Sequence, residues 1–128
     1  MNQLPQAIIG FWGNSALSSI PLYYEYAPID IPTPLAVFAP SGFSREYQNE
    51  HMMIDTYQYD FVVLSEQAED VYLKGFQAVT LFNGFEYIGL IQVTPMPEAM
   101  ATPTKAEPGF KTQWEYKFRL EFMLQPII

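Results

Sequence analysis

The side chains that could do proton-transfer or nucleophile chemistry are few and scattered along this chain. His51 is the only histidine, with Glu50 beside it and Asp55 nearby. A His–Asp pair becomes catalytic when it activates a hydroxyl or thiol within hydrogen-bond reach. Ser41 and Ser44 sit in no activating motif, and there is no cysteine. His51 reads more simply as a solvated loop residue ahead of a strand, with the His–Asp pair left as the alternative. No HExxH, CxxC, GxxxxGK or GxGxxG pattern occurs, so zinc-protease, thiol-redox, P-loop and dinucleotide chemistry find no support.

The acids are equally dispersed. Glu66, Glu69 and Asp70 follow Ser65 and read as the acidic start of a helix, favoured by the positive end of its dipole. Asp55 and Asp60 lie five positions apart on one expected strand, hence on opposite faces, and cannot jointly hold a metal without ligands from elsewhere. No catalytic, cofactor-binding or metal-ligating residue is assigned, and an enzyme is not expected.

Bulk composition points to surfaces instead. The 128 residues suit one domain, and aromatics are abundant at 16%, with nine Tyr and ten Phe, while charged residues are sparse at 16%. Aromatics in such numbers fill a β-rich core or meet a partner, and each residue taken alone allows both. Fourteen acids against six bases give a net charge of −8, which argues against wrapping nucleic acid. The same charge suits either plain solubility or the wall of a conduit past which DNA slides. Without cysteine the redox compartment cannot be read. Neither a signal peptide nor a membrane span is apparent, so a soluble protein made in a cytoplasm is expected.

The elements that position these residues follow from periodicity. Leu4, Ile8, Phe11 or Trp12, and Ser15 or Ala16 recur at helical spacing behind Pro5, predicting a short amphipathic N-terminal helix that Gly13-Asn14 can end. Leu22–Tyr26 reads as a strand, Pro28 to Pro34 as a stiff connection, and Leu35–Ala39 as a short strand bounded by prolines. A polar loop is expected from Ser41-Gly42 to about His51. Met52–Leu64 is a long strand with Met53, Tyr57, Tyr59, Phe61 and Val63 on one face and Thr56, Gln58 and Asp60 on the other.

Ser65 is the expected N-cap of a helix carrying Ala68, Val71, Tyr72, Gly75, Val79 and Phe82 as its apolar stripe, ended by Asn83-Gly84. Tyr87–Val93 returns as a strand. Residues 95–111 form a long proline-rich loop or arm, with Pro95, Pro97, Pro103 and Pro108. From Thr112 to Leu124 alternation is strict, with Trp114, Tyr116, Phe118, Leu120, Phe122 and Leu124 on one face and Gln113, Glu115, Lys117, Arg119 and Glu121 on the other. The expected fold is a single α+β domain spanning 1–128: a mixed, mainly antiparallel sheet of about five strands, the two long ones central, with a helix packed across it and a short N-terminal helix.

Three stretches together resemble a known family: Tyr23-Tyr24-Glu25-Tyr26-Ala27-Pro28, Pro34-Leu35-Ala36-Val37-Phe38, and Ile54-Asp55-Thr56-Tyr57-Gln58-Tyr59-Asp60-Phe61 with Ser65 leading into a helix. Their order and spacing are similar to the tail-terminator or tail-completion proteins of long-tailed bacteriophages. The resemblance implies a short helix, a strand ending near Ala-Pro, a strand carrying Pro-x-x-Val-Phe, a long aromatic strand, and a helix across the sheet. It further implies a structural virion protein, without catalytic residues or cofactors, whose copies form a hexameric ring. Such a ring would cap the tail tube, join it to the head connector and let DNA pass without specific binding. The proline-rich segment is longer than the family pattern and would suit an arm on the next subunit or the tube.

Candidate contact residues on this reading are Tyr57, Tyr59, Phe61, Pro95, Pro97, Pro103, Trp114 and Tyr116. Another neck component, such as a head-completion or minor capsid protein, is the neighbouring expectation. A different class is a small module cradling an apolar ligand between Tyr57, Tyr59, Phe61 and Trp114.

Overall fold

A computed structural model describes residues 3–27, 34–50, 52–97, 102–103 and 114–126. His51, Pro28, Pro32, Pro108 and most of 98–113 lie outside the described residues.

The alternating C-terminal segment forms the strand on which the sheet is built. This strand, β6 (Trp114–Leu124), buries Tyr116, Phe118, Leu120, Phe122 and Leu124 and turns Lys117 and Arg119 to solvent. It pairs antiparallel and without a register shift with β3 (Met52–Ser65), from Asp55 opposite Leu124 to Ser65 opposite Trp114. On the far side of β3 lies β2 (Leu35–Asn49), and β1 (Leu22–Tyr24) runs parallel to β2 at the edge. The other side of β6 carries β4 (Leu90–Pro97), and the two-residue β5 (Thr102–Pro103) pairs with Glu115 and Trp114 at the start of β6. The order is β1-β2-β3-β6-β4, with β5 off that path. The two long strands are central, as expected, and only β1–β2 is parallel.

Two helices cover one face. The N-terminal helix, α1 (Leu4–Gly13), has Pro5 in its first turn, where a missing N–H costs nothing, and buries Leu4, Ile8 and Trp12. Trp12 donates its indole N–H to the Ile20 carbonyl at 2.7 Å, fixing the turn that follows. The second helix, α2 (Ala68–Leu81), runs into a 3₁₀ turn at Phe82–Gly84 and buries Val71, Gly75, Ala78 and Val79. Both helices share one buried cluster with the inner faces of β2, β3 and β6. No helix among the described residues is long and apolar enough to cross a membrane.

Several expectations are corrected. The polar loop after Ala39 is strand: β2 continues to Asn49, opposite Met52, so β2 and β3 form one long hairpin. Pro40 is tolerated because the register shifts between Pro40 and Gly42, leaving Ser41 as a bulge. Ser65 ends β3 instead of capping α2. Its hydroxyl accepts from Gln67 N–H at 3.3 Å and donates to Asp70 Oδ2 at 3.0 Å, and Gln67 occupies the cap position. Pro95 and Pro97 belong to β4, opposite Leu120 and Phe118, and not to a loop. Because β4 is an outer strand, prolines fit there without breaking a ladder.

Two backbone positions give direct tests. Gly75 sits under the Tyr116 ring, so an added Cβ would clash with ring atoms of a buried side chain. Gly75→Ala is expected to lose about 1–2 kcal/mol in urea unfolding, overpacking outweighing the helix propensity gained; unchanged stability would contradict the packing. Glu25 ends β1 with φ of 71°, a left-handed conformation unfavourable to a residue with a Cβ. Glu25→Gly is expected to raise unfolding stability by about 0.5–1 kcal/mol, and a loss would contradict that strain.

Candidate functional site

The β2–β3 hairpin outgrows the sheet that carries it. β6 reaches only to Asp55, so Glu46–Asn49 and Met52–Ile54 continue as a two-stranded ribbon. Residues directly opposite in antiparallel strands share a face. The hairpin's face on the helix side therefore carries, going toward the tip, Phe43 with Tyr57, Arg45 with Asp55, and Tyr47 with Met53, the last pair alone lying in the ribbon. The Phe43 and Tyr57 rings lie 4.9 Å apart, and the Arg45 guanidinium carbon is 5.9 Å from the Phe43 ring. Arg45 grips the buried Asp55 carboxylate with two hydrogen bonds, Nε to Oδ1 at 2.6 Å and Nη2 to Oδ2 at 2.9 Å. Those bonds, with a further one to Tyr47, hold the guanidinium protonated beyond its already high range. The pair closes the core where the sheet narrows to two strands. Exposed aromatics flank it on both sides: Phe43, over Tyr57 on the sheet side, is 55% exposed, and Tyr47, toward the tip, is 72% exposed.

A second apolar cluster lies on the outward side of α2. Tyr72, Leu73 and Phe76 are neighbours on the helix surface, and Leu73 and Phe76 are 54% and 55% exposed. Tyr72, expected in the buried stripe, instead leans its ring edge-on against Tyr116 at 5.7 Å and keeps its other side in solvent.

The expected contact residues divide accordingly. Tyr59, Phe61 and Tyr116 are 2%, 0% and 3% exposed and belong to the core, so their side chains are unavailable to a partner. The helices cover that face of β3 and β6, and Phe38, Phe82 and Phe122 pack against Tyr59 and Phe61. This also fills the cradle that an apolar ligand would need. Tyr57 is half-buried beneath Phe43, and Trp114 is half-buried at the start of β6, opposite Pro103 of β5. Pro95 is half-buried in β4, with Pro97 two positions on as strand backbone. The eight therefore do not form one surface.

Phe43, Arg45 and Tyr47 were hidden by the polar composition of their segment. Their signal is the alternation Phe43, Arg45, Tyr47 mirrored across Glu50-His51 by Met53, Asp55, Tyr57, which spells a hairpin.

On the uncovered sheet face, polar side chains pair across strands: Gln58 donates to Glu121 at 2.7 Å and Arg119 to Asp60 at 2.8 Å. An open depression of about 390 Å³ there is lined by Asp60, Val62, Met96, Lys117 and Arg119. Its charges are already matched, since Lys117 meets Glu115 at 3.2 Å. Among the described residues, no three His, Asp or Glu side chains gather as metal ligands. Asp55 and Asp60 do face opposite sides of β3, as the spacing requires.

Burial raises the phenols of Tyr57 and Tyr24 above their ordinary value of 10.0, with Asp55 adding to the effect on Tyr57 and Glu25 on Tyr24. The unfolded chain ionises these groups first. Their contribution is thus complete below about pH 10 and is lost as pH climbs through the folded-state values. The urea midpoint is expected to fall between about pH 9 and pH 11, less steeply in Tyr57→Phe. Equal slopes would show that Tyr57 carries no part of it.

In comparisons with known proteins, no family model matches this chain and no curated protein matches it.

Proposed function

We propose that this chain is a structural protein of a bacteriophage tail or neck: a tail terminator whose copies close into a hexameric ring. The ring caps the tail tube, joins it to the head connector and leaves a channel for DNA. The observation that carries this reading is the pair of unlike apolar clusters on one protomer, Phe43 and Tyr47 on the β2–β3 hairpin and Leu73 and Phe76 on α2. A ring needs a head-to-tail contact, in which each copy offers two different patches and one meets the other. Exposed aromatics in a chain with few charges suit such contacts.

The sequence resemblance supplies the particular assembly. The order of elements is the one that resemblance implies: short helix, strand, Pro-x-x-Val-Phe strand, long aromatic strand, helix across the sheet. A net charge of −8 per copy would multiply around a ring and repel DNA from its wall. The partners on this reading are other copies of the chain, the tail-tube protein and the head connector, and the location is the virion. A head-completion or minor capsid role would use the same patches without setting tube length.

Light scattering and electron microscopy test it, with the chain alone and on purified tail tubes. Rings or tube-end caps are expected from the native chain, and neither from Tyr47→Asp nor from Phe76→Asp. Both substitutions fall on exposed side chains, so folding should persist. Mixing the two variants restores one good contact per pair and is expected to give a two-copy species. A native chain that stays single on tube ends and leaves tube length unaffected would overturn the proposal.

A further inference from the structure

The two edges of the sheet are built differently. On β4, Pro95 and Pro97 are two positions apart and so point their nitrogens the same way. An outer strand tolerates proline with that nitrogen facing away from the ladder, which removes the outward donors from this half of β4. On the opposite edge, β1 pairs with β2 only as far as Tyr24 and Phe38. Glu25 then turns left-handed, its N–H still reaching the Phe38 carbonyl at 2.7 Å, and the β1 ladder ends there. Beyond Phe38, no strand among the described residues pairs with the outer side of β2.

The uncovered stretch contains neither proline nor lysine between Ser41 and Gln48. Its register against β3 is unbroken from Gly42 to Tyr47, between bulges at Ser41 and near Gln48. Every second residue there presents an N–H and a C=O outward, a ready template for another strand.

We infer that this edge pairs antiparallel with the same edge of a second copy, with Ser44 opposite Ser44. A two-fold axis that continues a sheet keeps each face on its own side, so its centre must fall on a residue. Centring on Arg45 sets two guanidinium groups opposite each other, and centring on Glu46 sets two carboxylates opposite; both are destabilising. Centring on Phe43 brings Pro40 into the new ladder.

Centring on Ser44 avoids all three. It places Phe43 of each copy opposite Arg45 of the other, a cation over a ring at both ends of the contact, and Gly42 opposite Glu46. Arg45 is already paired with Asp55, so the one unmatched charge each copy brings is Glu46, which falls opposite the uncharged Gly42 and not opposite its own copy. Pro95 and Pro97 meanwhile stop the far edges from extending the sheet, so association ends at two. The contact is short, hence weak and dependent on concentration. Its ladder is backbone at the edge of β2; Phe43 would serve both contacts, whereas Leu73 and Phe76 of the ring contact take no part in it.

The absence of cysteine in this chain makes a clean test possible. Opposed residues in an antiparallel pair lie within disulfide reach, at about 4.5–5.5 Å between Cα atoms. In the Ser44 register the two copies of residue 46 are about 14 Å apart along the strands, beyond that reach. With oxidised glutathione, concentrated Ser44→Cys is expected to convert to a covalent two-copy species while Glu46→Cys stays single. Linkage of Glu46→Cys without Ser44→Cys would overturn the register. Failure of both, with a single-copy mass at all concentrations, would overturn the edge contact. Rings without the Ser44 link would remove this inference and leave the ring standing; the link without rings would do the reverse.

Discussion

Three phenylalanine rings stacked across three strands hold the molecule in one register. Phe38, Phe61 and Phe118 lie directly opposite one another on β2, β3 and β6, with centroids 5.0 Å apart at each step and planes within 10° and 7° of parallel. All three are buried. Each ring contributes about 1.5–3 kcal/mol through burial, with roughly 0.5–1.5 more per ring pair. A slip of one residue in any of these strands would send that strand's ring to solvent together with every other apolar side chain on its inner face. The stack therefore fixes which face the helices cover. Phe82, at the end of α2, packs on Phe61 from above, and Phe11 of α1 packs on Phe82, so the helices are seated through the same rings.

This inner face is complete without help from another chain, which gives the aromatics outside it their meaning. The core takes Tyr59, Phe61 and Tyr116, and among buried side-chain nitrogens and oxygens of the described residues none lacks a partner. Phe43 and Tyr47 flank the Arg45–Asp55 pair on β2, exposed on either side of it, and Leu73 and Phe76 are exposed on α2. None of these four is needed to close the fold. In a chain short of charged residues, exposed apolar side chains of this kind suit contact between chains.

The parts legible in sequence are those where one periodicity ruled a whole element. β6, the inner face of β3 and the N-terminal helix were readable because alternation or helical spacing ran through them without interruption. Pro40 misled because proline usually ends a strand, whereas here a bulge at Ser41 absorbs it. Pro95 and Pro97 misled for a related reason: whether proline breaks a strand depends on that strand lying at an edge, which is a tertiary fact. Tyr72 shows the same limit in a helix. Apolar residues surround most of α2, and only the packed structure decides which of them face in. The candidate contact residues were chosen for being aromatic on a strand face, the same property that selects core residues, so the core claimed several of them.

On the proposed reading, the sheet's inner face is self-sufficient and the hairpin edge is where another chain would meet it. Backbone amide hydrogen exchange across a dilution series tests it most directly. Amides of residues 59–63 and 116–122 should be protected at every concentration, whereas outward-pointing amides of residues 42–47 should exchange freely when dilute and gain protection as the chain is concentrated. Ribbon amides whose protection is the same at all dilutions, whether high or absent, would contradict the account.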